Sequence, residues 1–179
     1  MKIIGIDPGS KETAYIEIWD DRIGAMGKIP NHDFLLLFHR QQSHFDACFC
    51  ERTASYGKPV GEDVFETVRL EGALWGLWTT WWTPEPFRQH HPVFSFKFVP
   101  RRKVKQALCG TDFRITDAVI RQRLIDLWGG KEKAIGRKGS PGPLYGLKGD
   151  LWSALAVLVA GGILFDYGMP FFPPPAGGD

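Results

Sequence analysis

The chain has 179 residues, 44% of them hydrophobic, and a formal net charge of +2 at pH 7. That length suits one domain with a substantial core, and no apolar run is long and uncharged enough to span a bilayer. The cysteines, Cys48, Cys50 and Cys109, are odd in number and form no CxxC pair, which argues against disulfides and zinc and for a reducing cytoplasm.

Residues 2–7 read as a first strand, in which Ile3, Ile4 and Ile6 suit a buried sheet. Pro8-Gly9 is a turn pair, so Asp7 falls at the last buried position of a core strand. A charge there is costly unless compensated, and Asp7 asks for a metal or a phosphate. Thr13 to Trp19 alternates as a second strand, with Ala14, Ile16 and Ile18 on one face and Tyr15, Glu17 and Trp19 on the other. Asp20-Asp21 turn the chain into a weaker third strand, Arg22 to Ile29. A helix with Asn31 as its cap follows, to about Gln42.

Phe45 to Glu51 reads as a short apolar strand that, like the first, ends in a carboxylate. Gly61 to about Trp78 is helical, with Val64, Val68, Ala73 and Leu74 near helical spacing and Phe65 and Leu77 adding apolar surface. The nearby Trp75, Trp78, Trp81 and Trp82 are too apolar for a free surface and serve either the core or a two-fold interface. His90-His91 and Cys48-Phe49-Cys50 lack metal-ligand spacing, and the cysteines read as core packing. Val93 to Val99 is a fifth strand, Arg101 to Leu108 a short helix stopped by Cys109-Gly110, and Thr116 to Trp128 an amphipathic helix with Val119, Ile120, Leu124 and Leu127 apolar. Gly129 to Gly149 reads as a partly mobile loop. Gly149-Asp150 opens a last helix that ends near Gly161-Gly162 or slightly beyond. Residues 1–168 are expected to form one domain and 169–179 a frayed Pro-rich tail. The order β-β-β-α-β-α-β-α, closed by a helix, is α/β, with three antiparallel strands and two parallel crossover strands.

Asp7, Glu51 and Asp150 form the candidate constellation. If the first and fourth strands are parallel neighbours, Asp7 and Glu51 meet at one sheet edge. The stripe Leu151, Ala154, Leu155, Leu158 would press the last helix on the sheet and bring Asp150 to them. Glu51 alone reads equally as a strand-end charge, and Asp150 alone as a helix N-cap; only their combination with Asp7 favours a site. Three close carboxylates raise one another's pKa unless cations lie between them. Oxygen ligands select Mg²⁺, with Mn²⁺ as a substitute, over zinc. Two such ions can activate a water and stabilise the leaving oxygen of an in-line phosphoryl displacement.

Lys97, Arg101, Arg102, Lys103 and Lys105 form a basic stretch without an acid, and Lys131, Lys133, Arg137, Lys138 and Lys148 a second, interrupted only by Glu132. Beside a carboxylate site they suit the backbone of a polyanion, although solvated surface is the plainer alternative.

The segments Ile3-Ile4-Gly5-Ile6-Asp7-Pro8-Gly9, Glu51 at its strand end, and Gly149-Asp150-Leu151-Trp152-Ser153-Ala154-Leu155-Ala156 resemble the RuvC family of Holliday-junction resolvases. Residues 55–61 (SYGKPVG) and 141–146 (PGPLYG) look like that family's bacteriophage branch. The resemblance implies an RNase H-like fold, a homodimer, and Mg²⁺-dependent paired nicking of four-way DNA junctions in a host cytoplasm, with no membrane and no nucleotide cofactor. It also implies that Asp7, Glu51 and Asp150 are the catalytic metal ligands. The family commonly carries two acids three apart on the final helix; here Asp150 matches the first and Ser153 stands at the second, as a water-mediated or neutral ligand. DNA contacts are expected from Lys58, Arg101, Arg102, Lys103, Lys105, Lys133, Arg137 and Lys138, and from Tyr56 stacking on an unpaired base unless it is an ordinary turn aromatic. Other readings are a nuclease on other branched DNA or RNA–DNA hybrids, and a catalytically weak junction-binding protein. Sugar kinases and actin-like ATPases share the opening Asp-x-Gly turn, but this chain lacks their second such turn and their length.

Overall fold

A computed structural model describes residues 1–20, 22–54, 57, 59–81, 95–111 and 114–168, with Trp81 given by its backbone. Strand β1 (Lys2–Pro8) pairs antiparallel with β2 (Glu12–Trp19), and β2 pairs antiparallel with β3 (Arg22–Pro30). Helix α1 (Asn31–Gln41) leads to β4 (Ala47–Arg52), parallel to β1. Helix α2 (Glu62–Trp81) precedes β5 (Ser95–Pro100), parallel to β4. The sheet order is therefore β3-β2-β1-β4-β5, mixed as expected. Helices α3 (Arg101–Cys109) and α4 (Asp117–Leu127) follow, then α5 (Lys131–Ala134), the two-residue strands β6 (Gly136–Arg137) and β7 (Ser140–Pro141), and α6 (Leu151–Leu164).

Strand alternation divides the interior in two. Ile3, Ala14, Ile16, Ile18, Ala47 and Phe49 pack with α6. Ile4, Ile6, Tyr15, Cys48 and Cys50 pack with Phe34 and Phe38 of α1 and Leu70, Leu74 and Trp78 of α2. The cysteines are buried free thiols, as the sequence suggests. Helix α6 is buried almost all round, and its fully buried Leu155 and Leu158 each contribute roughly 1.5–3 kcal/mol relative to exposure. It approaches so closely because two glycines permit it: a Cβ on Gly5 would collide with the Ala154 carbonyl and Leu158, and one on Gly161 with the Phe49 ring. That approach sets where Asp150, at the head of α6, comes to rest.

Several expectations need correction. Asn31 does not cap α1; the helix starts after an extended Pro30 without a side-chain cap. The Asn31 amide instead accepts from Thr13 Oγ1 at 2.8 Å and donates to the Gly9 carbonyl at 3.0 Å, tying α1 to the β1–β2 turn. The Gly129–Gly149 segment contains α5 and the β6–β7 ladder, because Ala134, Leu144 and Leu147 are apolar anchors buried in the core beneath it. Val119, Phe65 and Val68 are exposed, since α4 buries Ile120, Leu124 and Ile125 and α2 buries Leu70, Leu74 and Trp78. Thr116 does cap α4, accepting from the Val119 amide at 3.4 Å. Trp82, His90-His91 and the 169–179 tail lie outside the described residues. Among those described, no helix is long and apolar enough to cross a membrane.

Candidate active site

Ile6 pairs with Cys50 in parallel register, so Asp7 and Glu51 leave neighbouring strands at the same end of the sheet. Ile3 and Phe49 face α6, and alternation places Asp7 and Glu51 on that same face. Asp150 is the residue from which α6 starts, with no side-chain cap bond of its own. The three carboxylates expected from sequence thus lie around one end of β1, close enough to interact. The Asp7 carboxyl is pushed up from 3.8 to about 7, first by burial and then by the negative charges of Glu51 and Asp150; Arg101 and a hydrogen bond from Ser153 partly oppose this.

The other two acids have cationic partners. Glu51 accepts from Arg101 Nη1 at 3.0 Å, and Arg101 Nη2 reaches Asp117 at 2.5 Å. Burial raises the Glu51 pKa against the lowering pull of Arg101. Burial alone would lower the Arg101 pKa, but Glu51 and Asp117 outweigh it and hold the guanidinium above its ordinary value. Asp150 pairs with Lys28 Nζ at 2.8 Å, and the same ammonium lies 3.4 Å from Glu12. The bond to Asp150, with that carboxylate's charge, raises the Lys28 pKa. Among the described residues Asp7 has no ion pair.

An open cleft of about 350 Å³ lies on the Asp150 side of Asp7, bounded by Ser10, Lys11, Glu12 and Lys28 around the Pro8-Gly9 turn. Among the described residues no three His, Cys, Asp or Glu side chains already form a metal cage. The donor chemistry still fits a hard divalent cation: the donors are oxygens, and Asp7 is the carboxylate left without a counter-ion. Glu51 and Asp150 each give one oxygen to a cation, Oε2 to Arg101 and Oδ2 to Lys28, which leaves the other oxygen of each to turn towards an ion beside Asp7.

Sequence reasoning reached Arg101 as a DNA contact, whereas its guanidinium is engaged by Glu51 and Asp117. Arg102, Lys103, Lys133, Arg137 and Lys138 are exposed, and Lys105 is half-buried. Tyr56 and Lys58 lie outside the described residues. Lys28, Glu12 and Asp117 were not anticipated at the site. Glu71 was also missed; buried on α2, it accepts from the Thr53 amide at 2.7 Å and so fixes the chain just beyond Glu51.

No protein-family model matches the chain, and no curated protein matches its sequence. Among solved structures, Thermus thermophilus RuvC matches at 16% identity with a TM-score of 0.63, covering 94% of this chain and 98% of the other. A structure of T. thermophilus RuvC in complex with a Holliday junction substrate matches at 16% identity with a TM-score of 0.61, covering 94% and 97%. That likeness spans nearly the whole of both chains, and with the five-stranded mixed sheet in the order β3-β2-β1-β4-β5 it gives this chain a RuvC-like, RNase H-like fold.

Proposed function

We propose that this chain is a divalent-metal-dependent endonuclease that resolves four-way DNA junctions by paired phosphodiester hydrolysis. The observation that carries the reading is Asp7, a carboxylate at a core strand end, raised to about 7 by burial and by Glu51 and Asp150, with no cation of its own. The neighbour bound to a Holliday junction substrate supports branched DNA as the target.

Asp7, Glu51 and Asp150 would hold Mg²⁺, or Mn²⁺ in its place, and the ion would supply an activated water and charge neutralisation at the displaced phosphate. Ser153 donates to Asp7, favouring its charged, ligating form. Arg101 orients Glu51 and opposes the rise that burial gives its pKa. Arg102, Lys103, Lys105, Lys133, Arg137 and Lys138, together with Tyr56 and Lys58, would hold junction phosphates and bases. Such phosphate contacts position DNA without reading its sequence.

Paired nicking needs two sites, and a second copy of the chain would provide the other. Phe65, Val68 and Trp75 form an exposed stripe at helical spacing on α2, which supports a homodimer built there. The phage-like segments support a phage or prophage origin and a host-cytoplasm location. The standing ion pairs of Glu51 and Asp150 favour, as a second reading, a junction binder with weak catalysis.

Synthetic four-way junction, linear duplex, flap and RNA–DNA hybrid, each incubated with the protein and Mg²⁺, separate these readings. Symmetric paired nicks confined to the junction are expected. Equal cutting of duplex, flap or hybrid would overturn junction specificity, and tight junction binding without cutting would favour the binder.

A further inference from the structure

We propose that Lys28 is a working part of this site: its ammonium takes, on the Asp150 side, the place of a second divalent ion, so that the chain needs only one. The inference rests on the metal-nuclease reading and concerns how many ions that site requires.

Its basis is the register of the edge strand. Trp19 pairs with Arg22 and Ile18 with Ile23, the spacing of a two-residue hairpin turn. Continued unbroken, that register would set Lys28 opposite Thr13, on the face away from Asp7. It shifts between Ile18 and Ile16, because Gly24 and Ala25 of β3 together face Glu17 alone on β2. A bulge of this kind moves every later side chain to the other face. Lys28 consequently lies opposite Ala14, which lies opposite Asp7, so the three form one row across three strands. Alanine is the small middle member, and it leaves the lysine stem a path over the sheet towards α6.

At the end of that path the ammonium meets Asp150 at 2.8 Å and Glu12 at 3.4 Å, in the cleft that Asp7 also lines. One cation shared between two carboxylate oxygens is the electrostatic arrangement a bridging metal ion would produce. Lys28 and Asp150 are both about half exposed, so the pair adds little to fold stability. With Arg101 on Glu51 and Lys28 on Asp150, Asp7 is the remaining uncompensated carboxylate. A single divalent ion is enough to neutralise it, and the residue beside it on α6 is the neutral Ser153 rather than another acid.

The test counts ions. Mn²⁺ titration followed by electron paramagnetic resonance, on the full chain at fixed pH, should give about one bound ion in the wild type and about two in Lys28→Met. Lys28→Arg keeps the cation and should return to about one. Lys28→Gln serves as a second neutral variant if Lys28→Met does not fold. The Hill coefficient for Mg²⁺ in junction cleavage should follow the same pattern, near one, near two and near one. A lysine that merely braced β3 would change melting temperature and leave the ion count alone. Two ions in the wild type, or the same count in every variant, would overturn the role of Lys28 and leave the nuclease reading standing. No Mn²⁺ bound by the wild type would overturn the metal site itself, and this inference with it.

Discussion

Glu17 on β2 and Asp7 on β1 are carboxylates withdrawn from water on opposite faces of one sheet, and their surroundings differ in kind. Glu17 is met at 3.0 Å by Lys2, whose ammonium also lies over the Phe45 ring. Its charge is answered within the fold, as a structural ion pair requires. Asp7 has no such partner, and its nearest charged neighbours include two further carboxylates. A fold tolerates that cost where a group is kept for a ligand rather than for stability. Glu17 is therefore met by a cation through its Oε2, although its Oε1 is buried without a partner, whereas Asp7 has no cation of its own and borders a cleft.

Removing each charge in turn should break or sharpen this contrast. The Asp7 carboxyl titrates near 7 in the fold against an ordinary 3.8, so the folded protein binds that proton more tightly than the unfolded chain. From this group, stability is greatest below about pH 4 and falls as pH rises through 7. Above 7 the full cost is felt, on the order of 4 kcal/mol. Asp7→Asn should accordingly raise metal-free stability at pH 8 by up to that amount, with the gain vanishing near pH 4, as read by urea denaturation. Added Mg²⁺ should stabilise the wild type at pH 8 and leave Asp7→Asn unmoved. Glu17→Gln should act in the opposite sense, costing about 3 kcal/mol by leaving Lys2 half-buried and unpaired. Mg²⁺ should not restore that loss; if it did, Glu17 would belong to the open site. A smaller effect is expected at Glu71, which answers a backbone donor rather than a charge. Glu71→Ala should cost about 1–3 kcal/mol by stranding the Thr53 amide, and hydrogen exchange at Thr53 should quicken.

Much of this arrangement was legible in the sequence, for identifiable reasons. The β1 and β4 runs are apolar and end abruptly in acids, so their pairing at one sheet end follows once they are taken as parallel neighbours. The apolar composition of α6 announces its burial and hence the place of Asp150. Lys28 was not legible, because counting from the Asp20-Asp21 turn sets it on the wrong face; the Gly24–Ala25 bulge that corrects this leaves no period-two signal. Arg101 reads as one of a basic run, and only the fold brings Glu51 and Asp117 to its guanidinium. Asn31 looks like a helix cap by position, but the β1–β2 turn offers its side chain Thr13 and the Gly9 carbonyl first. The 131–141 segment reads as loop from its Gly, Pro and Lys, while the anchors that order it, Ala134 and Leu144, are too few to show periodicity.

The most direct test of the central claim pairs binding with cleavage on a synthetic four-way junction in Mg²⁺, comparing the wild type with Asp7→Asn. Asparagine keeps the shape of the side chain and removes the charge proposed to hold the ion. The account predicts junction binding within about threefold of the wild type and cleavage reduced by at least about a thousandfold, a barrier increase of about 4 kcal/mol. Cleavage at the wild-type rate by Asp7→Asn would contradict it.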